Sequence, residues 1–162
     1  QEMKDFGLKE PTLPTVKEII VANSLWEQGI FQQSICHNDL TYSNIILNDN
    51  KESLINFDFC SYELKVYDLA NFIRRRMRKC NWDICEAKII TDEYRRVNEL
   101  TAEDFYVMKI MLQFPQKFWR VANKYYNSSR SWAQRVLVDK LDDAIEEIEY
   151  HKKFLEDYEI II

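Results

Sequence analysis

The polar stretch His37-Asn38-Asp39-Leu40-Thr41-Tyr42-Ser43-Asn44 constrains this chain more than any other segment. On its N-terminal side, Thr15 and Glu18 form a capping-box pattern that opens a helix predicted to run to about Gln33. Ile19, Ala22, Trp26 and Ile30 fall on one face of that helix. On its C-terminal side an apolar run, Ile45 to Leu47, is separated from Ser53–Phe57 by the turn-forming "NDNKE". This spacing predicts one small β hairpin directly after the polar loop. From about Tyr67 onward the pattern is helical: Asp68 to Lys79, Asp83 to Val97, a helix opened by Thr101 and broken at Pro115, and a last helix over Ser131–Tyr158. In the last helix Val136, Leu137, Leu141, Ala144, Ile145 and Ile148 share one side. Helix, polar loop, hairpin and several helices is not the order of an ordinary four-helix bundle. The fold class expected is mainly α (α+β), with residues 1–14 a loop or linker and 15–162 the domain.

The composition supports a packed domain: 46% of the 162 residues are hydrophobic, and nine Phe, nine Tyr and four Trp supply bulk for a core. A net charge of −5 argues against a dedicated nucleic-acid binder and gives no general attraction to an anionic membrane. No apolar run approaches the roughly 18–20 residues needed to span a bilayer, and no signal peptide is read in the charged first 18 residues. Cys36, Cys60, Cys80 and Cys85 contain no C-x-x-C pair and read as free cytosolic thiols. With glycine only at positions 7 and 29, the chain carries no P-loop, no dinucleotide fingerprint and no Gly-rich lid over nucleotide phosphates.

The polar stretch reads H-x-D-x-x-x-x-N, the hairpin strand ends in Leu54-Ile55-Asn56-Phe57-Asp58-Phe59, and "VYDLANF" sets Asp68 at a helix start. Phosphoryl transfer asks a protein mainly for positioning and charge neutralisation. One carboxylate must receive or orient the proton of the attacking hydroxyl, and oxygen side chains must hold magnesium against the nucleotide phosphates. A short hairpin between Asn44 and Asn56–Asp58 would set those ligand groups side by side.

These motifs resemble the aminoglycoside phosphotransferase and choline kinase superfamily, whose catalytic loop runs H-G-D or H-N-D, four residues, then Asn. More narrowly, "INFDFCSYELKVYDLANFIRR" and "QFPQKFWRVANKYYNSSRSW" resemble the spore coat protein S family of kinase-like proteins from endospore-forming bacteria. The resemblance implies a protein-kinase-like C-terminal lobe. It makes Asp39 the catalytic base and His37 the brace of the loop. Asn44, Asn56 and Asp58 would lie around Mg2+ and ATP, with Asn44 and Asp58 contacting the nucleotide–metal complex. Asp68 would be a buried acid hydrogen-bonding the loop backbone. Thr41 stands where protein kinases carry Lys, which favours the small-molecule branch.

Two departures set the functional alternatives. The family hairpin ends "IDF", with Asp as the main metal ligand, and this chain has Asn56, which brings no negative charge. Asp58 can compensate if the strand continues, since side chains alternate with period two. The N-terminal, nucleotide-gripping lobe is also not among these residues, so that lobe is an expected partner. One reading is a kinase-fold component of the bacterial spore coat with weak or lost activity, made in the mother-cell cytoplasm and assembled with other coat proteins. The other is an active ATP- and magnesium-dependent kinase for a small-molecule hydroxyl. Outside the motif, the run Arg74-Arg75-Arg76-Met77-Arg78-Lys79 reads as a solvated helix end or as a site for phosphate or an acidic partner. Phe114, Phe118, Trp119, Tyr125 and Tyr126 read as core or pocket wall, and Asp142, Asp143, Glu146, Glu147 and Glu149 as an exposed helix face.

Overall fold

A computed structural model describes residues 13–49, 51–127 and 131–162. Most of the predicted loop over 1–14 therefore lies outside the described residues. The elements follow as α1 (Val16–Glu27), β1 (Gln33–Cys36), a 3-10 turn (Tyr42–Asn44), β2 (Ile45–Asn48), β3 (Lys51–Leu54) and β4 (Ser61–Leu64). They continue with α2 (Tyr67–Met77), α3 (Ile84–Arg95), α4 (Ala102–Gln113), α5 (Gln116–Asn127), α6 (Ser131–Glu156) and a closing 3-10 turn (Tyr158–Ile161). This is the mainly α architecture expected.

The capping box at Thr15 and Glu18 forms: the Thr15 backbone N–H donates to Glu18 Oε2 at 2.7 Å and the Glu18 N–H to Thr15 Oγ1 at 3.2 Å. The helix, however, ends at Glu27 and not near Gln33. Gly29 takes φ +68°, its N–H bonds the Trp26 carbonyl at 2.9 Å, and the Ile30 N–H bonds the Leu25 carbonyl at 3.1 Å. That is a Schellman closure, which favours a residue without a Cβ. Nothing lies within 4 Å of a Cβ built at Gly29, so the requirement there is conformational and not spatial. The predicted apolar face is also not a core face, because Ile19, Trp26 and Ile30 are 44%, 48% and 43% exposed.

The predicted hairpin is present as β2 and β3, paired antiparallel from Ile45↔Leu54 to Asn48↔Lys51. A second two-stranded sheet, absent from the expectation, pairs β1 with β4 from Gln33↔Leu64 to Cys36↔Ser61. Its first strand begins at Gln33, where the predicted helix ends, and leads directly into His37. The predicted strand Ser53–Phe57 stops at Leu54, because Asn56 adopts a left-handed φ of +66°.

The core is built by the helices. Leu69, Ala70, Ile73 and Met77 of α2 are buried at helical spacing against Ala87 of α3, Met108 and Leu112 of α4, and Phe154, Tyr158 and Ile161 at the C-terminus. Pro115 ends α4 as expected, and α5 restarts at Gln116. Among the α6 face positions, Ala144 and Ile148 are buried, whereas Val136, Leu137 and Leu141 lie outside the residues whose side chains are described. Glu147 corrects the expectation of a solvated acidic face. It accepts from Lys117 Nζ at 2.8 Å and from Trp82 Nε1 at 2.8 Å, and lies 3.7 Å from Arg78, so one carboxylate ties three elements together. The aromatic set is corrected too: Trp119 and Tyr126 are 60% and 74% exposed, while Phe114 and Phe118 line a small cavity with Trp82 and His151. Tyr125 lies outside the residues whose side chains are described.

One buried ion pair joins sheet to helix. Lys65, just after β4, lies 3.0 Å from Asp104, whose side chain is 4% exposed and also caps α4 by accepting from the Thr101 N–H. Asp104→Ala should remove the side-chain half of the capping box, leaving the Thr101 N–H unpaired, and leave Lys65 without its ion-pair partner in a site of low exposure, at a cost of about 3 kcal/mol. Chemical denaturation checks this, and a loss below about 1 kcal/mol would mean that the pair behaves as a surface salt bridge.

Candidate functional site

The loop after β1 is held from three sides. From α2, the Asp68 carboxylate accepts the backbone N–H of His37 at 2.6 Å and that of Asn38 at 2.9 Å. Asp68 is partly buried, not fully buried as the resemblance implied. From the exit of β3, the Ile55 carbonyl lies 2.9 Å from His37 Nε2, and Phe57 packs on the imidazole with ring centroids 4.8 Å apart. His37 is buried, and the Asp39 N–H donates to its Nδ1 at 3.3 Å. The neutral Nε2–H tautomer satisfies both contacts. From the turn before β4, the Phe59 carbonyl accepts from Asn38 Nδ2 at 2.8 Å, with Ser61 Oγ as its second acceptor. Asn38 sits at φ +64°. Only Gly, or a short amide or acid such as Asn, adopts that geometry at small cost, which gives a physical reason for H-G-D and H-N-D as alternatives.

This grip places Asp39. Its Oδ2 accepts from Asn44 Nδ2 at 2.9 Å, and the same amide donates to the Asp39 carbonyl at 2.9 Å. Asn44 is buried, and its Oδ1 accepts from Asn56 Nδ2 at 3.4 Å. The Ile55 N–H donates to the Asn44 carbonyl at 3.0 Å, continuing the β2–β3 pairing by one rung and bringing Asn56 beside Asn44. Asp39, Asn44 and Asn56 are thus brought together. Asp58 is exposed on the turn beyond, and no hydrogen bond or ion pair among the described residues joins it to them. The premise for aligning it with Asn56, a continuing strand, fails at Asn56 itself.

Arg75 was not singled out from the sequence. Its guanidinium lies 3.1 Å from Asp39 Oδ1, opposite the Asn44 contact. Arg75 follows Asp68 by seven residues, two helical turns, so one stripe of α2 holds both the loop backbone and the loop carboxylate. The rest of the basic run is not a plain solvated end. Arg74 is buried, bonding Asn71 Oδ1 at 2.7 Å and the Met111 carbonyl, and Arg76 bonds Glu86 through two nitrogens at 2.9 and 3.0 Å.

A family model described as "Spore coat putative kinase YutH" matches residues 7–158. The chain belongs to this spore coat kinase-like family. Among solved structures, this member of the family is similar to an aminoglycoside phosphotransferase from Alicyclobacillus acidocaldarius subsp. acidocaldarius DSM 446. The TM-score is 0.72 at 21% identity, covering 89% of this chain and 46% of that one. That likeness shows a kinase-like fold, and the spore coat kinase-like chain spans under half the length of the protein it matches. No curated protein sequence matches it.

Among the described residues, no helix is long and apolar enough to cross a membrane, and no three His, Cys, Asp or Glu side chains converge as a metal cluster. The oxygen groups gathered here, the Asn44 amide oxygen that accepts from Asn56 Nδ2 and the nearby Asp39 carboxylate, are hard ligands of the kind magnesium takes. They supply less charge than a carboxylate pair would.

Asp68→Ala should strand the His37 and Asn38 amides at about 1–3 kcal/mol for each unpaired donor. The thermal midpoint should fall and amide exchange at His37 and Asn38 should accelerate. Unchanged values of both would show that the loop does not depend on this carboxylate.

Proposed function

We propose that this chain is the helical lobe of a spore-coat kinase-fold protein with weak phosphotransferase activity, passing the γ-phosphate of ATP with magnesium to a hydroxyl. The observation that carries the reading is the geometry of Asp39. Its carboxylate is held on a braced loop, with Asn44 on one oxygen and Arg75 on the other. A chain that had drifted to pure scaffolding has no evident need for a carboxylate positioned so closely.

In this mechanism Asp39 orients the acceptor hydroxyl and takes its proton. Asn44 and Asn56, with Asp58 if the 57–60 turn swings inward, would hold magnesium, which neutralises phosphate charge during transfer. His37 keeps the loop in register through Ile55. A nucleotide-gripping lobe would cover the exposed apolar surface around the loop, where Ile35, Phe59 and Tyr62 are 78%, 64% and 66% exposed. Other coat proteins are the further partners of this reading, and the spore coat its final location.

A second reading, a coat scaffold that binds no nucleotide, is favoured by Asn56. Replacing the main metal carboxylate by an amide removes a full negative charge from the ion's ligand set.

Calorimetry of ATP with magnesium on the full-length protein tests the proposal. Micromolar binding is expected, lost in the Asp39→Ala, Asn44→Ala double variant. No binding by a folded full-length protein leaves the scaffold reading. Separately, Asn56→Asp should tighten magnesium-nucleotide binding by about tenfold, equivalent to 1.4 kcal/mol. Asp tolerates the left-handed φ nearly as well as Asn, so the fold should accept the change. An unchanged affinity would mean that position 56 does not face the metal.

A further inference from the structure

The stripe of α2 that holds the loop does not end at Arg75. Asp68, Phe72, Arg75 and Lys79 recur at i, i+4, i+7 and i+11, and the chain continues past Met77 in a turn closed by the Lys79 N–H on the Arg76 carbonyl at 2.9 Å. Between this stripe and the loop residues Thr41 and Tyr42 lies an open cleft of about 520 Å³. Every charged side chain lining it is a cation: Arg75, Arg76, Arg78 and Lys79. In a chain of net charge −5, that is a local arrangement and not the overall bias.

Three of these cations meet carboxylates outside the cleft: Arg75 meets Asp39 at 3.1 Å, Arg76 meets Glu86 at 2.9 Å, and Arg78 meets Glu147 at 3.7 Å. Lys79 has no ion-pair partner among the described residues. Its Nζ lies 5.3 Å from the centre of the Tyr42 ring, and Tyr42 is 86% exposed. The cleft therefore offers an uncompensated ammonium and an aromatic wall. Arg75 stands between it and the Asp39 carboxylate.

We propose that this cleft is the acceptor site, and that it takes a hydroxyl compound bearing an anionic group, a phosphate or a carboxylate. The inference rests on the phosphotransferase reading and adds its substrate class. The anion would sit on Lys79 and Arg75, directing the hydroxyl toward Asp39. The acceptor oxygen attacks the γ-phosphorus of the nucleoside triphosphate. An O–P bond forms, the bond from that phosphorus to the bridging oxygen breaks, the nucleoside diphosphate leaves, and the hydroxyl proton passes to Asp39. Transfer of Arg75 from Asp39 Oδ1 to the incoming anion frees that oxygen for the proton. A cationic acceptor meets the uncompensated Lys79 ammonium here, with no carboxylate lining the cleft to receive it, and is disfavoured.

The test is calorimetry on the full-length protein, with ATP and magnesium titrated first on the same sample. Glycerol 3-phosphate and D-glycerate are then compared with glycerol and with choline. One or both anions should bind about tenfold or more tightly than glycerol, choline should not bind, and Lys79→Glu should weaken the anion by at least about tenfold. Which of the two anions binds separates phosphate from carboxylate. Glycerol or choline binding as well as the anions overturns the assignment, as does anion affinity unchanged by Lys79→Glu. Nucleotide binding with neither anion bound rejects the acceptor class and leaves the phosphotransferase reading intact. Anion binding without nucleotide binding rejects both the phosphotransferase reading and the acceptor role.

Discussion

The carboxylate of Asp68 on the backbone N–H groups of His37 and Asn38 is the contact on which the rest of the candidate site depends. A polar loop cannot hold itself by hydrophobic packing, and each of its buried backbone groups needs a partner. Asp68 answers two of them from the first turn of a helix whose opposite face, Leu69, Ala70, Ile73 and Met77, is locked in the core. The rigidity of the helical layer is thereby passed to the loop through one side chain. With the backbone pinned, Asn38 can take its left-handed conformation, and Asp39 emerges facing Asn44 and Arg75.

The two small sheets serve the same end and contribute little core of their own. The β1–β4 pair delivers the chain to His37 and brings Ser61 under Asn38, while the β2–β3 hairpin carries Asn56 back to Asn44. Ile35, Ile46, Leu47, Leu54 and Tyr62 on their strands are exposed, and α1 buries none of its residues. This lobe is packed on its helical side and open beside the His37–Asn44 loop. The electrostatics follow the same division. Glu147 and Asp104 satisfy cations within the scaffold, whereas Lys79, beside the loop, meets no carboxylate among the described residues.

How far the chain could be read in advance depended on how local each signal was. The capping box at Thr15, the helix start at Thr101, the break at Pro115 and the β2–β3 hairpin are written within a few residues of sequence, and each appears. The overlong first helix came from following apolar periodicity past Gly29, where the left-handed closure outweighs it. The β1–β4 sheet joins segments some 25–31 residues apart, Cys36↔Ser61 to Gln33↔Leu64, neither with a clean alternation, and nothing local marks their pairing. Arg75 lay inside a basic run that reads as a solvated helix end or a binding site, and Glu147 inside an acidic run that reads as solvent-facing; neither pattern names the partner each one meets.

By itself the sequence determined the identity of the chemical groups and their order along the chain: a histidine, a carboxylate and two amides at kinase-like spacing, with an acid opening the next helix. These are covalent facts and survive any packing. Only the tertiary structure decided which cation meets Asp39, that Asp58 stays apart from the amides, and that Lys79 is left beside an open cleft. The physical reason is that such contacts join residues tens of positions apart. Their distances are set by how helices and sheets pack, and no local pattern in the sequence encodes them.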